Sequence, residues 1–188
     1  GPWTMDMCLS ESFFSMLPHL ELLMIGDNCF SCQNLTIKSM NNLKRIMIDN
    51  YSYRSWILYS SCKEHVHFRV VDCPQLRSIE IGNRSFLECG NCEFRNLPSL
   101  VMMKLGYHCF QWASLELRGD WRSDGWWLDL PRLKSLQFGE KCFCCCHSLV
   151  FESGCGEGEW WVDLPELESI RFDKSVFCFN DTDMSWAV

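Results

Sequence analysis

The residues with the most obvious chemistry lie in "GEKCFCCCHSLVF", Gly139 to Phe151, where Cys142, Cys144, Cys145, Cys146 and His147 fall within six positions. Thiolate and imidazole are the ligands of tetrahedral zinc, and a histidine beside a thiol also helps to deprotonate it. Two more segments, "CFSC" at Cys29–Cys32 and "CGNC" at Cys89–Cys92, have metal-ligand spacing. His65 and His67 alternate, so in an extended hairpin they share a side and could hold a metal weakly. No histidine pairs with a nucleophile motif, and neither a phosphate-binding glycine loop nor G-x-S-x-G occurs. The options are a metal site, a reactive thiol, or neither, and they turn on which elements carry these residues.

Composition narrows the field. The chain has 188 residues, 47% apolar and 14% aromatic, which is enough to build a core and too apolar for disorder. Net charge is −7 with no basic run, which excludes a nucleic-acid footprint. No apolar run approaches ~18 residues, so no membrane insertion is expected. Gly1-Pro2 reads as the remnant of tag removal, so the native N-terminus is expected to be missing. Fourteen cysteines with three of them consecutive, Cys144 to Cys146, fit a disulfide framework poorly. Free buried thiols lean intracellular, while sequons at Asn34, Asn50, Asn83 and Asn180 permit a cell surface.

The chain repeats itself. "LPHLELLMIGDNCF" returns as "MNNLKRIMIDNYSY", "CPQLRSIEIGNRSF", "LPSLVMMKLGYHCF", "LPRLKSLQFGEKCF" and "LPELESIRFDKSVF", starting at Leu17, Met40, Cys73, Leu97, Leu130 and Leu164. The spacings are 23, 33, 24, 33 and 34 residues. Each copy has an apolar anchor (Leu20, Leu43, Leu76, Leu100, Leu133, Leu167) and then an alternating pair such as Ile46 with Ile48, which predicts a strand. A break follows at Gly26, Asp49, Gly82, Gly106, Gly139 and Asp173, suited to a turn. Four residues later comes an aromatic in every copy: Phe30, Tyr53, Phe86, Phe110, Phe143 and Phe177. A second apolar pair follows in Leu35 with Ile37, Leu115 with Leu117, and Leu149 with Phe151. One copy cannot bury its own apolar face, but a stack can.

The pattern L-x-x-L-x-I-G-x-x-x-F, then L-x-I, resembles leucine-rich repeats, most closely the BspA-like surface-antigen type, over Leu17 to Phe177. The resemblance implies a mainly β, right-handed solenoid with parallel strands and about six repeats: 17–39, 40–72, 73–96, 97–129, 130–163 and 164–188. Residues 1–16 would hold the tag remnant and a partial repeat, with "FFSMLP" set against the later "WWVDLP", and the whole is expected to be one domain of a longer protein. The longer copies depart from the pattern. "LRGDWRSDGWWLDLP", "FESGCGEGEWWVDLP" and, in the Met40 copy, "WILYSSCKEHVHFRVVDCP" read as β-hairpins inserted after the second apolar pair and projecting from one edge.

Repeat phase changes the meaning of the cysteines. Cys29, Ser52, Ser85, Cys109, Cys142 and Val176 precede the aromatic and form one column of small residues, where a free cysteine acts as a small hydrophobe. Pooling zinc ligands from non-adjacent copies would span about 10 Å at ~4.8 Å per strand. No metal or cofactor is expected. Cys144 and His147 alone lack a repeat role.

The outward strand positions form two columns: Leu22, Arg45, Ser78, Met102, Ser135, Ser169, and Met24, Met47, Glu80, Lys104, Gln137, Arg171. Glu80 and Lys104 can pair across strands. Leu22, Met24 and Met47 make an apolar patch, suited to an N-terminal cap, a preceding repeat or a partner. In the insertions, Trp121, Trp126, Trp127, Trp160 and Trp161 with Asp120 and Asp124 suit either local packing or an aromatic, acidic binding surface. The expected function is non-catalytic binding of a protein partner. The alternatives are a glycan-binding or adhesion module, and a thiol or metal site at Cys142–His147. End-to-end self-association of the stack is a further expectation.

Overall fold

The computed structural model describes residues 11–29, 34–52, 66–87, 89–111, 113–118, 130, 132–143, 149–152 and 166–176. Over these residues the protein is mainly β, with one short helix and parallel strands in two sheets. Helix α1 spans Glu11–Ser15. The strands are β1 (Leu22–Ile25), β2 (Leu35–Lys38), β3 (Arg45–Ile48), β4 (His67–Val71), β5 (Ser78–Ile81), β6 (Asn91–Arg95), β7 (Met102–Leu105), β8 (Ser114–Arg118), β9 (Ser135–Phe138), β10 (Leu149–Glu152) and β11 (Ser169–Phe172).

Odd-numbered strands form a six-stranded sheet in the order β1-β3-β5-β7-β9-β11, and even-numbered strands a five-stranded sheet in the order β10-β8-β6-β4-β2. The chain therefore visits the two sheets alternately, and each sequence copy hydrogen-bonds to the next. The predicted pairs fall in register: Leu23 with Ile46, Ile46 with Ile79, Ile79 with Met103, and Met103 with Leu136. These side chains are buried between the sheets because alternate residues of a strand face opposite sides. Leu43, Leu76, Leu100 and Leu133 are buried with them, and Leu20 and Leu167 pack against the same core.

Strands β1, β3, β5, β7 and β9 of the larger sheet are each entered through a tight turn. Leu20, Leu43, Leu76, Leu100 and Leu133 N–H groups donate to the carbonyls of Leu17, Met40, Cys73, Leu97 and Leu130, at 3.0 to 3.2 Å. Proline at the second position, as in Leu17-Pro18 and Leu97-Pro98, supplies the φ that such a turn needs and has no N–H to leave unpaired.

One expectation is corrected. The segment "HFRVV" of the Met40 copy is no hairpin arm: β4 lies between β2 and β6, parallel to both. The extra length of that copy falls between β3 and β4, whereas in the fourth and fifth copies it falls between β8 and β9 and between β10 and β11. The stretch that contains "FFSMLP" begins as helix α1, which packs against β2 and sinks Phe14 into the core. A helix can cover the apolar end of a sheet because its backbone bonds are internal. The break glycines hold no special dihedral, since no described glycine has positive φ. Their reason is space. A Cβ on Gly82 would come 2.7 Å from the Asp49 carbonyl carbon, and one on Gly139 as close to that of Gly106.

The left-handed residues stand two places after each break: Asn28, Tyr51, Arg84, His108, Lys141 and Ser175, all with φ between 55° and 60°. This conformation aims each N–H at the next repeat. Asn28 donates to Asn50 O, Tyr51 to Asn83 O, Arg84 to Tyr107 O, His108 to Glu140 O and Lys141 to Lys174 O, at 2.7 to 3.0 Å. A non-glycine residue resists positive φ, so these bonds and the packing beneath them must offset the strain. Phe86, Phe110 and Phe143 are also left-handed, at φ 57°, 53° and 51°. Their rings stack 4.9 and 5.5 Å apart, within 7° of parallel, and Phe68 leans on the first two.

Candidate functional site

The six described thiols resolve into core and ladder. Cys92 takes the inward position of β6, in register with Phe68 of β4 and Leu115 of β8, and is fully buried. Cys89 is buried too, and its Sγ donates to Asn91 O at 3.0 Å. The "CGNC" pair is thus one inward strand residue and one turn residue. Burial pushes the Cys89 thiol up to about 12 and Cys73 up to about 11. Cys142 is also raised, first by its side-chain hydrogen bond with Cys109 and then by burial. Thiols held neutral in this way are poor nucleophiles and poor metal ligands. Among the described residues no group of three or more His, Cys, Asp or Glu side chains could hold a metal ion.

The small-residue column has a further role. Ser52 Oγ donates to Gly26 O (2.7 Å), Ser85 Oγ to Asp49 O (2.9 Å), Cys109 Sγ to Gly82 O (2.9 Å) and Cys142 Sγ to Gly106 O (2.9 Å). Each satisfies the carbonyl of the break residue one repeat earlier. Cys29, with no described turn before it, bends back to its own Asp27 O at 3.6 Å.

The sequon asparagines also have structural work. Asn50 N donates to Asp27 Oδ1, Asn83 N to Asn50 Oδ1 and Tyr107 N to Asn83 Oδ1, each at 2.8 Å. Asn34 Oδ1 accepts from His67 N at 2.9 Å, and the His67 ring meets Thr36 Oγ1 at 3.3 Å. In Asn50-Tyr51-Ser52 and Asn83-Arg84-Ser85 the motif N-x-S is the asparagine ladder followed by the serine column.

The outward face of the larger sheet carries both exposed apolar and polar side chains. Met24 is 64% and Leu22 40% exposed, with Met16 and Leu17 exposed close by in the chain, whereas Met47 is half-buried and takes a 3.6 Å contact from Arg45 Nη2. Beyond them the face turns polar. Glu80 pairs with Arg45 at 3.3 Å rather than with its register partner Lys104. Ser78 is buried between the longer Arg45 and Met102 on neighbouring strands. Ser169 Oγ and Ser135 Oγ lie 3.2 Å apart.

At the turn edge, the Arg84 guanidinium sits between the rings of Tyr51 and Tyr107, 5.9 and 5.4 Å from their centroids. His108 packs on Tyr107, and its pKa is lowered by burial, then by the positive charges of Lys141 and Arg84. On the smaller sheet, the buried Glu93 is held by Arg69 at 2.6 Å and Arg95 at 3.5 Å. Sequence reasoning missed both groups. They join residues from different repeats, and only strand register brings those together.

Asp120, Trp121, Asp124, Trp126, Trp127, Trp160 and Trp161 lie outside the described residues, as do Cys32, Cys144, Cys145, Cys146, His147 and His65. Among the described residues no helix is long and apolar enough to cross a membrane. No family model matches this sequence, and neither curated proteins nor solved structures show a significant match to it.

Proposed function

We propose that this chain is a non-catalytic binding scaffold, a solenoid of leucine-rich-type repeats that presents the open face of its larger sheet to a protein partner. The observation that carries this reading is the exposed apolar corner of Leu22 and Met24 on an otherwise polar, regularly spaced face. Large apolar side chains exposed together on a rigid sheet are the usual anchors of an interface. The buried, neutral thiols of Cys73, Cys89 and Cys142 support the non-catalytic part, since they offer no nucleophile near neutral pH.

The experiment places a photo-crosslinking residue at Met24 and, as a control, at Lys38 on the other sheet. The reading holds if one partner is captured from position 24 and not from 38, is competed off by unlabelled protein, and is lost when Leu22→Asp is added to the position-24 protein. Equal capture from both faces overturns it.

A further inference from the structure

Exposed large apolar side chains concentrate at the two ends of the stack. Met16, Leu17, Leu22 and Met24 lie at the first, Ile170 and Phe172 at the last, and of the described residues only Tyr51 stands elsewhere. Ile170 is 54% exposed although its register partner Leu136 is a core residue at 6%. Among the described residues no strand lies beyond β1 or beyond β11 in the larger sheet. Among the described residues, β1 and β11 therefore each have one edge without a strand neighbour.

The bonding rules inside the stack say what would fit. Lys44 N and Arg45 N both donate to Glu21 O, and four later pairs repeat this, ending with Glu168 N and Ser169 N on Lys134 O. The next acceptor in that series is Glu168 O, and the donors at the other end are Glu21 N and Leu22 N. The left-handed turn residues each donate to the following repeat, ending with Lys141 N on Lys174 O. The next donor is Ser175 N, and the acceptor that matches it by phase is Asp27 O. Cys29 Sγ, now bonded within its own turn, stands in the column whose members reach back one repeat.

Shape agrees with bonding. The last copy contributes β11 to the larger sheet and no described strand to the smaller one, while at the opposite end α1 covers the smaller sheet beside β2. Gly26 adds a steric sign. A Cβ there meets nothing within 4 Å, whereas Gly82, which follows an aspartate in the same column, has the Asp49 carbonyl carbon 2.7 Å from that position. Gly26 set against Asp173 would repeat the pairing of Gly82 with Asp49.

We propose that this chain assembles head to tail, β11 of one copy pairing in parallel with β1 of the next, so that the larger sheet runs on through successive copies. The contact is heterologous and does not close, so it generates open chains rather than a two-fold dimer. Ile170 is covered against Leu23 of the next copy. Lys174 comes beside Asp27. Glu168 comes beside Glu21, each already paired within its own copy, to Lys134 at 3.0 Å and Lys44 at 2.8 Å. The proposal uses the backbone edges of β1 and β11, whereas the binding role above uses the outward side chains of Leu22 and Met24 on the same strand β1.

The test is sedimentation equilibrium over a concentration series on the wild-type protein, on Gly26→Lys and on Ile170→Lys. Gly26→Lys points into open space in one copy, so its melting temperature at high dilution should match wild type. Wild type should gain mass with concentration past the dimer. Each variant alone should stay monomeric, because each lacks one competent end. Mixed, they should give a one-to-one heterodimer, joining the free β11 edge of Gly26→Lys to the free β1 edge of Ile170→Lys. A wild-type protein monomeric throughout, or one that stops at a dimer, overturns the proposal. So does a Gly26→Lys protein that assembles like wild type, a result that does not depend on Ile170→Lys folding.

Discussion

The thiol of Cys142 donates to the carbonyl oxygen of Gly106, 2.9 Å away in the preceding repeat. Ser85 does the same for Asp49 with a hydroxyl. A cysteine drawn from the most metal-like segment of the chain is thus interchangeable in role with a serine, and its work is to satisfy a turn carbonyl.

That equivalence predicts a mutation series. Cys142→Ser and Cys109→Ser should stay close to wild type in urea unfolding, because Ser52 and Ser85 already fill this column. Cys142→Ala removes the donor and should cost about 1–3 kcal/mol, the range for a buried polar group left unpaired. Equal stability of the serine and alanine variants would remove the donor from the account.

Alkaline pH should destabilise the protein through its neutral thiols. Burial raises Cys73 from 9.0 to about 11 and Cys89 from 9.0 to about 12. The folded state keeps these protons while the unfolded chain loses them above pH 9, so the stability they confer is complete below pH 9 and is lost as pH rises through about 11 to 12. Melting temperature should fall across that window, and iodoacetamide at neutral pH should label neither residue until the chain unfolds. A Cys89→Ser variant should flatten the decline.

The break glycines should differ by position. Gly82→Ala forces a Cβ to within 2.7 Å of backbone in the preceding turn and should cost roughly 1–3 kcal/mol, as overpacking does. Gly26→Ala meets nothing within 4 Å and should be close to neutral in a dilute thermal melt. Equal losses at the two sites would mean that the glycines serve flexibility rather than space.

The asparagine ladder should discriminate acceptor from shape. Asn83→Asp keeps an oxygen for Tyr107 N and should be mild, while Asn83→Ala should cost about 0.5–1.5 kcal/mol in urea unfolding. Slower backbone amide exchange at Tyr107 in Asn83→Asp than in Asn83→Ala would locate the effect at that bond.

Some of this architecture was legible because its cause is local. Alternation in Ile46-Met47-Ile48 and its five sisters needs only a strand with one dry side, and the fixed phase of the aromatics needs only a repeat. The second strands of the Met40 and Cys73 copies were not legible. Phe68 with Val70 sat inside what reads as an insertion, and Cys92, the partner of Phe94, closed what reads as a metal motif. A buried thiol and a ligand thiol look the same in sequence until register with Phe68 tells them apart. The placement of extra length before β4 was hidden for the same reason. It depends on which residues pair across 33 positions, from Leu35 to Phe68, and not on any neighbouring residue.

The sequence by itself determined the repeat, the strands that follow each leucine anchor and the shared phase of Cys29, Ser52, Ser85, Cys109 and Cys142. These follow from side-chain periodicity, which local sterics and burial enforce. Only the tertiary structure decided that glycine marks close approach, that left-handed strain falls on Tyr51, Arg84 and His108 instead, and that Arg84 rests between two tyrosines. The physical reason is that each of these properties belongs to a pair of repeats. It comes into being only when one turn is laid on the next at hydrogen-bonding distance.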